Sequence, residues 1–305
     1  MNKENTSLWK DSFKRLLKNK AAVLGGIIII FLILIAIFAP LIAPYKYDEG
    51  DFLATYEPPS KTHLLGTDFM GRDLFSRIIY GTRISLTVGF VGATTSFIIG
   101  VTYGVISGYF GGRLDNIMMR IVDIMYAFPT LLLIIIMMVY FKSTFANIKP
   151  GTIAYYLSQL DNAMGGLLFI FIGIGITAWV GMARLARGMT LSLREKEFVE
   201  AAVAQGASNT KIIFRHILPN IIGPCIVQQT LAIPSYILFE AFLSFIGLGV
   251  NPPTPSWGMM ISEGYKAMRS YPYLVLFPGL AMAITMFAFN FLGDGLRDAL
   301  DPRMK

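Results

Sequence analysis

The sequence predicts an all-α membrane protein with six transmembrane helices. Three observations carry that expectation: apolar runs recur along the chain, charge is scarce, and basic residues crowd into alternate loops. Hydrophobic residues make up 54% of the 305 and charged residues only 15%, with a mean hydropathy of +0.59. A soluble domain rarely combines such apolarity with so few charges. Six runs reach the roughly 20 residues that a helix needs to cross the hydrocarbon; they lie at 22–42, 84–107, 121–141, 166–182, 221–248 and 274–292.

Taken in order, residues 1–42 form a basic N-terminus and a first span. Lys18 and Lys20 precede an apolar run that could be read as a signal peptide. The run exceeds the roughly 7–15 apolar residues of such a peptide and lacks a small-residue cleavage site, so an uncleaved span is expected. Residues 43–83 form an external segment. Within it Leu74, Phe75, Ile78 and Ile79 fall at helical spacing among Arg72, Asp73 and Arg77, which predicts a short helix lying at the membrane surface.

Residues 84–305 hold the other five spans. In the second span Gly100, Gly104 and Gly108 recur every fourth residue, a spacing that lets helices approach closely. Packing within the chain is the favoured reading, contact with a second subunit the alternative. Pro129 in the third span and Pro224 and Pro234 in the fifth are of the kind that membrane helices tolerate. No internal repeat relates spans 1–3 to spans 4–6, which argues against secondary carriers built from inverted repeats.

The 183–220 loop is a polar, basic island between apolar runs. Glu197 to Gln205 are strong helix formers, Gly206 suits a C-terminal cap, and Ser208 or Asn209 can cap a second helix that ends before Pro219. Small side chains at Ala201, Ala202 and Ala204 make one part of the hairpin thin enough to enter a partner's groove. A DNA-binding helix-turn-helix is a remote alternative, because membrane on both flanks keeps a duplex away; a solvated hairpin with no partner is the other. Seventeen Lys and Arg lie in the termini and in the 108–120 and 183–220 loops, against nine in the remaining loops. The positive-inside rule then puts both termini and the hairpin in the cytoplasm. The net charge of +7 is thereby a topology signal, and no nucleic acid is needed to explain it.

The hairpin resembles the EAA loop of ABC-importer permeases: Glu200-Ala201-Ala202, then Gly206, then Leu218-Pro219. His216 stands where the general pattern has an aliphatic residue, but Arg215 to Asn220 match the oligopeptide and dipeptide branch. Gly-Thr-Asp and Gly-Arg-Asp at 66–68 and 71–73, the run 243–258 and the tail 293–302 are similar to the same branch. The resemblance covers nearly the whole chain and points to the C-type permease of a peptide importer, with a type I ABC importer permease fold. It implies a pathway shared with a homologous B-type permease, two cytoplasmic ABC ATPases docked beneath, and an extracellular or periplasmic solute-binding protein that delivers the peptide. It implies ATPase coupling through Glu200, Ala201, Ala202, Gly206, Leu218 and Pro219, in a prokaryotic plasma (inner) membrane. ATP and Mg would be bound by the ATPase subunits, with no cofactor in this chain. Nickel-chelate and glutathione importers share these motifs and stand as alternatives; a secondary carrier without an ATPase is the more distant one.

Charged and polar groups inside spans are functional candidates because burying them is costly. Gln228, Gln229 and Glu240 in the fifth span are candidates to line a pathway for peptide groups, with hydrogen bonding between helices as the equal alternative. Asp123 lies where it can reach water, and Asn290 reads as a packing contact. No phosphate loop appears, so ATP binding by this chain is not expected. His63, His216 and Cys225 lie too far apart along the predicted topology to form a metal site or a catalytic set.

Overall fold

Glycine spacing decides how this bundle closes. In the computed structural model, which describes residues 8–145, 149 and 151–300, the second span is the long helix α3 (Leu74–Phe110). Helices α1 (Leu8–Lys18) and α2 (Lys20–Ile42) precede it. After it come α4 (Gly112–Ala127), α5 (Thr130–Phe145), α6 (Ile153–Ala163), α7 (Leu167–Thr177) and α8 (Trp179–Arg194). The hairpin helices are α9 (Glu197–Ala204) and α10 (Asn209–Ile212), followed by α11 (Leu218–Phe245), α12 (Trp257–Tyr265) and α13 (Tyr273–Leu300). Five helical stretches are long and apolar enough to cross a membrane, and the bent pair α4–α5 makes up to six. Among the described residues, β pairing is confined to two isolated bridges, Gly50 to Arg72 and Thr67 to Asp73.

Gly100, Gly104 and Gly108 form a smooth track on α3 along which α8 lies. A methyl group at Gly100 would sit 2.6 Å from Cβ of Met182, and one at Gly108 would sit 2.8 Å from the carbonyl oxygen of Arg187. At Gly104 it would run into the carbonyl oxygen of Ala183. Packing within the chain is therefore the use of this spacing. Between apolar helices in lipid, close backbone approach and dispersion replace the hydrophobic drive that water would supply. α11 packs on the next face of α3, with Ile233 and Ile237 over Gly89, and α13 holds α2 through Gly25 and Gly295.

Three spans differ from their expected form. The third is broken: α4 ends at Ala127, Phe128 is extended at ψ 132, and α5 leaves at a bend of 79°. The residue before a proline is pushed out of the helical region, and here Pro129 terminates the helix. Pro224 and Pro234 do not break α11, which runs through both. Residues 74–83 are not a separate surface helix but the first turns of α3, with Leu74, Ile79 and Arg77 buried. The fourth span extends through Leu167–Arg194, well beyond residue 182. Its junction carbonyl at Ala178 accepts a hydrogen bond from Ser96 Oγ at 2.8 Å, so the break between α7 and α8 leaves no orphan group there.

Replacing Gly104 with Leu tests the track. The chain should insert but lose its compact fold, with destabilisation of about 1–3 kcal/mol or more from overpacking. An unchanged melting temperature of the purified protein would show that the α3–α8 contact is looser than described.

Candidate functional site

The 183–220 loop folds as two short helices rooted in the bundle. α9 ends in a paired cap: the N–H of Gly206 donates to the Val203 carbonyl (2.9 Å), and that of Ala207 to the Ala202 carbonyl (3.0 Å). Gly206 is left-handed at φ +77, a conformation in which a side chain would be strained. Ser208 caps α10 by accepting from the Lys211 N–H at 3.4 Å. The chain then makes one π-helical turn, Ile213–Ile217, before α11. Pro219 lies in the first turn of α11, where a missing N–H is harmless.

One face of the hairpin belongs to the bundle. Val199, Ala202, Ile212 and Ile217 are buried in a cluster with Val101 and Val105 of α3, Met182 and Ala186 of α8, and Ile221 of α11. The opposite face exposes Glu200, Ala201 and Ala204. The hairpin also exposes three apolar side chains that sequence reasoning missed: Phe198 and Val203 on the flanks of α9 and Phe214 in the π turn, at 43%, 57% and 66% exposure. Their signal was present, since apolar residues interrupt an otherwise polar loop. Ala202 and Ala201 thus do different work: Ala202 lets α9 settle against the core, whereas Ala201 and Ala204 thin the outer face. Leu218 is half-buried on the core cluster, so it acts at the root of the hairpin, away from its tip.

A cleft of about 540 Å³ opens beside α9, lined by Tyr109 and Phe110 of α3, Arg194, Glu200, Val203 and Asn209 among others. Its walls are tied together. Tyr109 donates its hydroxyl to Asn209 Oδ1 at 2.9 Å, and Arg194 donates to the Tyr109 carbonyl at 3.1 Å. Behind it, Arg187 of α8 grips Asp115 of α4 with two hydrogen bonds, at 2.5 and 2.6 Å, and Ser107 of α3 donates to the same carboxylate. Arg184 pairs with Asp123 at 2.6 Å across exposed surface. Three of the loop's basic residues therefore serve the bundle, while Lys196, Lys211 and Arg215 remain on its surface.

The fifth-span candidates separate. Gln228 is exposed, one residue from Gln229, which is buried and donates to Ser96 Oγ at 2.8 Å. Glu240 has no exposed surface. Its Oε1 accepts from Ser244 (2.6 Å) and from Ser256 (2.7 Å), the cap of α12. Trp257, the next residue, donates its backbone N–H to Ser85 (3.3 Å) and its indole N–H to the Ile78 carbonyl (3.2 Å). Glu240 thus fastens α12 to α11 while Trp257 fastens it to α3. The 243–258 run supplies Ser244, Ser256 and Trp257 to this latch.

The other end of the molecule carries a buried ionic knot built from the 66–73 signature. Arg72 Nε lies 2.7 Å from Asp68 Oδ2, and Arg77 Nη2 lies 2.9 Å from Glu263 Oε2 on α12. Arg72 reaches the same Glu263 oxygen at 3.2 Å. Asp73 caps α3 by accepting from the Ser76 N–H at 2.8 Å and meets His63 at 3.0 Å. Gly71, at φ +70, leaves room for the backbone of Asp51. Among the described residues, no group of three or more His, Cys, Asp and Glu side chains could hold a metal ion.

The family described as "Binding-protein-dependent transport system inner membrane component" matches residues 100–305. The N-terminal transmembrane domain of oligopeptide transport permease C matches residues 7–59. The oligopeptide transport system permease protein OppC of Bacillus subtilis is 45% identical, over 100% of this chain and 93% of that protein. The dipeptide transport system permease protein DppC of Alkalihalophilus pseudofirmus is 45% identical, over 98% and 91%. The glutathione transport system permease protein GsiD of Pectobacterium atrosepticum is 39% identical, over 97% and 92%. Among solved structures, the inward-facing MetNI methionine ABC transporter matches with a TM-score of 0.57 at 18% identity. That alignment covers 75% of this chain and 98% of the matched chain, and it bears on the fold alone.

The ionic knot yields a direct test. Arg77→Met strands the carboxylates of Asp68 and Glu263 beside a single remaining guanidinium, and should destabilise the protein by about 3 kcal/mol, as broken buried pairs do. Glu263→Gln should cost less, because Glu263 is one-fifth exposed. Equal melting temperatures for Arg77→Met and the parent would show that the knot contributes nothing.

Proposed function

The chain belongs to the binding-protein-dependent transport system inner membrane components, as an OppC/DppC-type permease subunit without catalytic machinery, and on that premise we propose that it forms half of a pathway importing oligopeptides or dipeptides. The observation that carries the coupling role is the two-sided hairpin. Its inner face shares a core with α3, α8 and α11, while Phe198, Glu200, Val203 and Phe214 are exposed around it for a partner to meet. A partner that moves this face moves three spans with it.

In this reading a homologous B-type permease supplies the other half of the pathway, and two ABC ATPases that bind ATP and Mg dock on the two hairpins. A solute-binding protein delivers the peptide on the opposite side. The excess of basic residues at the hairpin end supports a cytoplasmic hairpin with cytoplasmic termini. The functional divisions follow: residues 1–42 anchor the chain, 43–83 form the outer knot and the start of α3, and 84–305 make the core. Coupling falls to Glu200, Ala201 and Gly206 on the hairpin, with Ala202, Leu218 and Pro219 setting its root. Of the fifth-span candidates, Gln228 is free to face the path, and Gln229 and Glu240 shape it by holding α3 and α12. Glutathione, itself a tripeptide, fits the same chemistry, and a relative named for glutathione transport shares 39% identity. Nickel chelates remain an outcome of the test.

Uptake of labelled tri- to pentapeptides and of labelled nickel, in host cells with and without the gene, separates these substrates. Loss of peptide uptake alone is expected; loss of nickel uptake alone would reassign the substrate. Glu200→Lys and Val203→Asp should leave insertion intact and weaken ATPase co-purification by roughly tenfold, the effect of ~1.4 kcal/mol. Undiminished co-purification would remove the hairpin from coupling.

Gln228→Ala should change the preference among acidic, neutral and basic peptides without lowering the melting temperature. Glu240→Ala should instead destabilise by about 1–3 kcal/mol, since two buried hydroxyls lose their acceptor. The reverse pattern would exchange their roles.

A further inference from the structure

We propose that α1 is a membrane-surface helix that binds anionic lipid headgroups in the leaflet on the hairpin side. The helix runs Leu8–Lys18 and joins α2 through Asn19 alone, whose side chain caps α2 by accepting from the N–H groups of Ala21 and Ala22. A helix one residue from a membrane span lies at the boundary between lipid and water. That boundary is the hairpin's: Leu16 of α1 packs near Gly295 of α13, and Leu300 of α13 lies beside Gly223, early in α11 just after the hairpin.

The arrangement of α1 suits that boundary. At 100° per residue, Phe13, Leu16 and Leu17 fall in one sector of the helix, and Lys14 and Lys18 follow along its edge. Leu16 turns to α13, but Phe13 and Leu17 are 59% and 56% exposed, so protein covers only part of the apolar sector. Lys14 and Lys18 are exposed beside them. An apolar stripe with lysines along its margin matches the acyl–headgroup boundary, where the stems lie along apolar surface and the ammonium groups meet phosphates. Basic segments beside a span are attracted to anionic lipid by about a fivefold factor per residue. Lys14 and Lys18 thereby gain a partner of defined chemistry.

The test uses the full chain assembled with its partner subunits in nanodiscs of phosphatidylcholine, with or without phosphatidylglycerol. Nitroxides are placed singly at Phe13→Cys, Leu17→Cys, Lys14→Cys or Lys18→Cys in a Cys225→Ser background. All four positions are exposed, so the Leu16 contact with α13 is left intact. With phosphatidylglycerol present, labels at 13 and 17 should be shielded from a water-soluble nickel chelate and open to oxygen, while those at 14 and 18 should meet the chelate. Lys14→Gln and Lys18→Gln combined, read by the label at 17, should lower the ratio of immersed to free helix roughly fivefold per lysine removed. Chelate access at 13 and 17 equal to that at 14 and 18 would overturn the proposal. So would shielding that is indifferent to phosphatidylglycerol, or that appears only when the partner subunits are present, which would assign the face to protein.

Discussion

Everything in this chain depends on α3 and α8 being able to touch backbone to backbone. In lipid, apolar side chains gain little by leaving one apolar neighbour for another, so an apolar helix needs a shaped contact to find its partner. Gly100, Gly104 and Gly108 provide that shape against Met182, Ala183 and Arg187. Once α8 lies in the track, Arg187 is carried to Asp115 and Arg194 to the end of α3. The bidentate pair then fixes α4, and the cluster beneath it receives the hairpin. The order of dependence runs from the glycines to the ion pair to the hairpin.

Polar contacts do the complementary work of choosing one arrangement among several that apolar packing would allow. Glu240 and Trp257 pin the start of α12 between α11 and α3, and Glu263 pins the middle of that helix to Arg72 and Arg77. α12 is held at both points by groups whose separation would strand buried charge or hydroxyls, which is expensive away from water. Such a helix moves with α3 and α11 as a body or not at all.

Much of this was legible in the sequence, for reasons that differ by element. The apolar runs, the glycine period and the hairpin with its Gly206 cap are local patterns, and local patterns survive translation into structure. The third span was read as continuous because composition alone does not say whether a proline in lipid is compensated; Phe128–Pro129 breaks the helix, whereas Pro234 sits in α11 beside Ile233, which packs over Gly89. Leu74 to Ile79 were read as a surface helix because their amphipathic spacing looked like one. Their charged members instead face an ionic knot whose partner, Glu263, lies 186 positions from Arg77. Hydrogen bonding between helices was one of two readings of Glu240, but its partner Ser256 was hidden by the same limit, since their meeting depends on a turn of chain that no spacing rule describes. Long-range pairing, and which side of a helix is covered, were the information the sequence did not display.

The root of the hairpin explains why Leu218 and Pro219 stand where they do. Pro219 has no N–H, and its place in the first turn of α11 makes that harmless. Before it lies the π turn, in which the Leu218 N–H donates to Ile213, and after it Asn220, whose side-chain amide donates to the His216 carbonyl at 2.6 Å. Ile212, just before the turn, and Ile217, its last residue, are both buried. An element of irregular hydrogen bonding between two buried anchors can change its winding without unpacking them. Single π turns occur frequently at functional sites. Under the proposed coupling role, a push on Phe214 or Val203 would be taken up first as winding of residues 213–217 and then delivered to α11 as rotation. That places the compliance of the lever at its root and leaves the capped tip, from Glu197 to Ala207, rigid enough to be pushed.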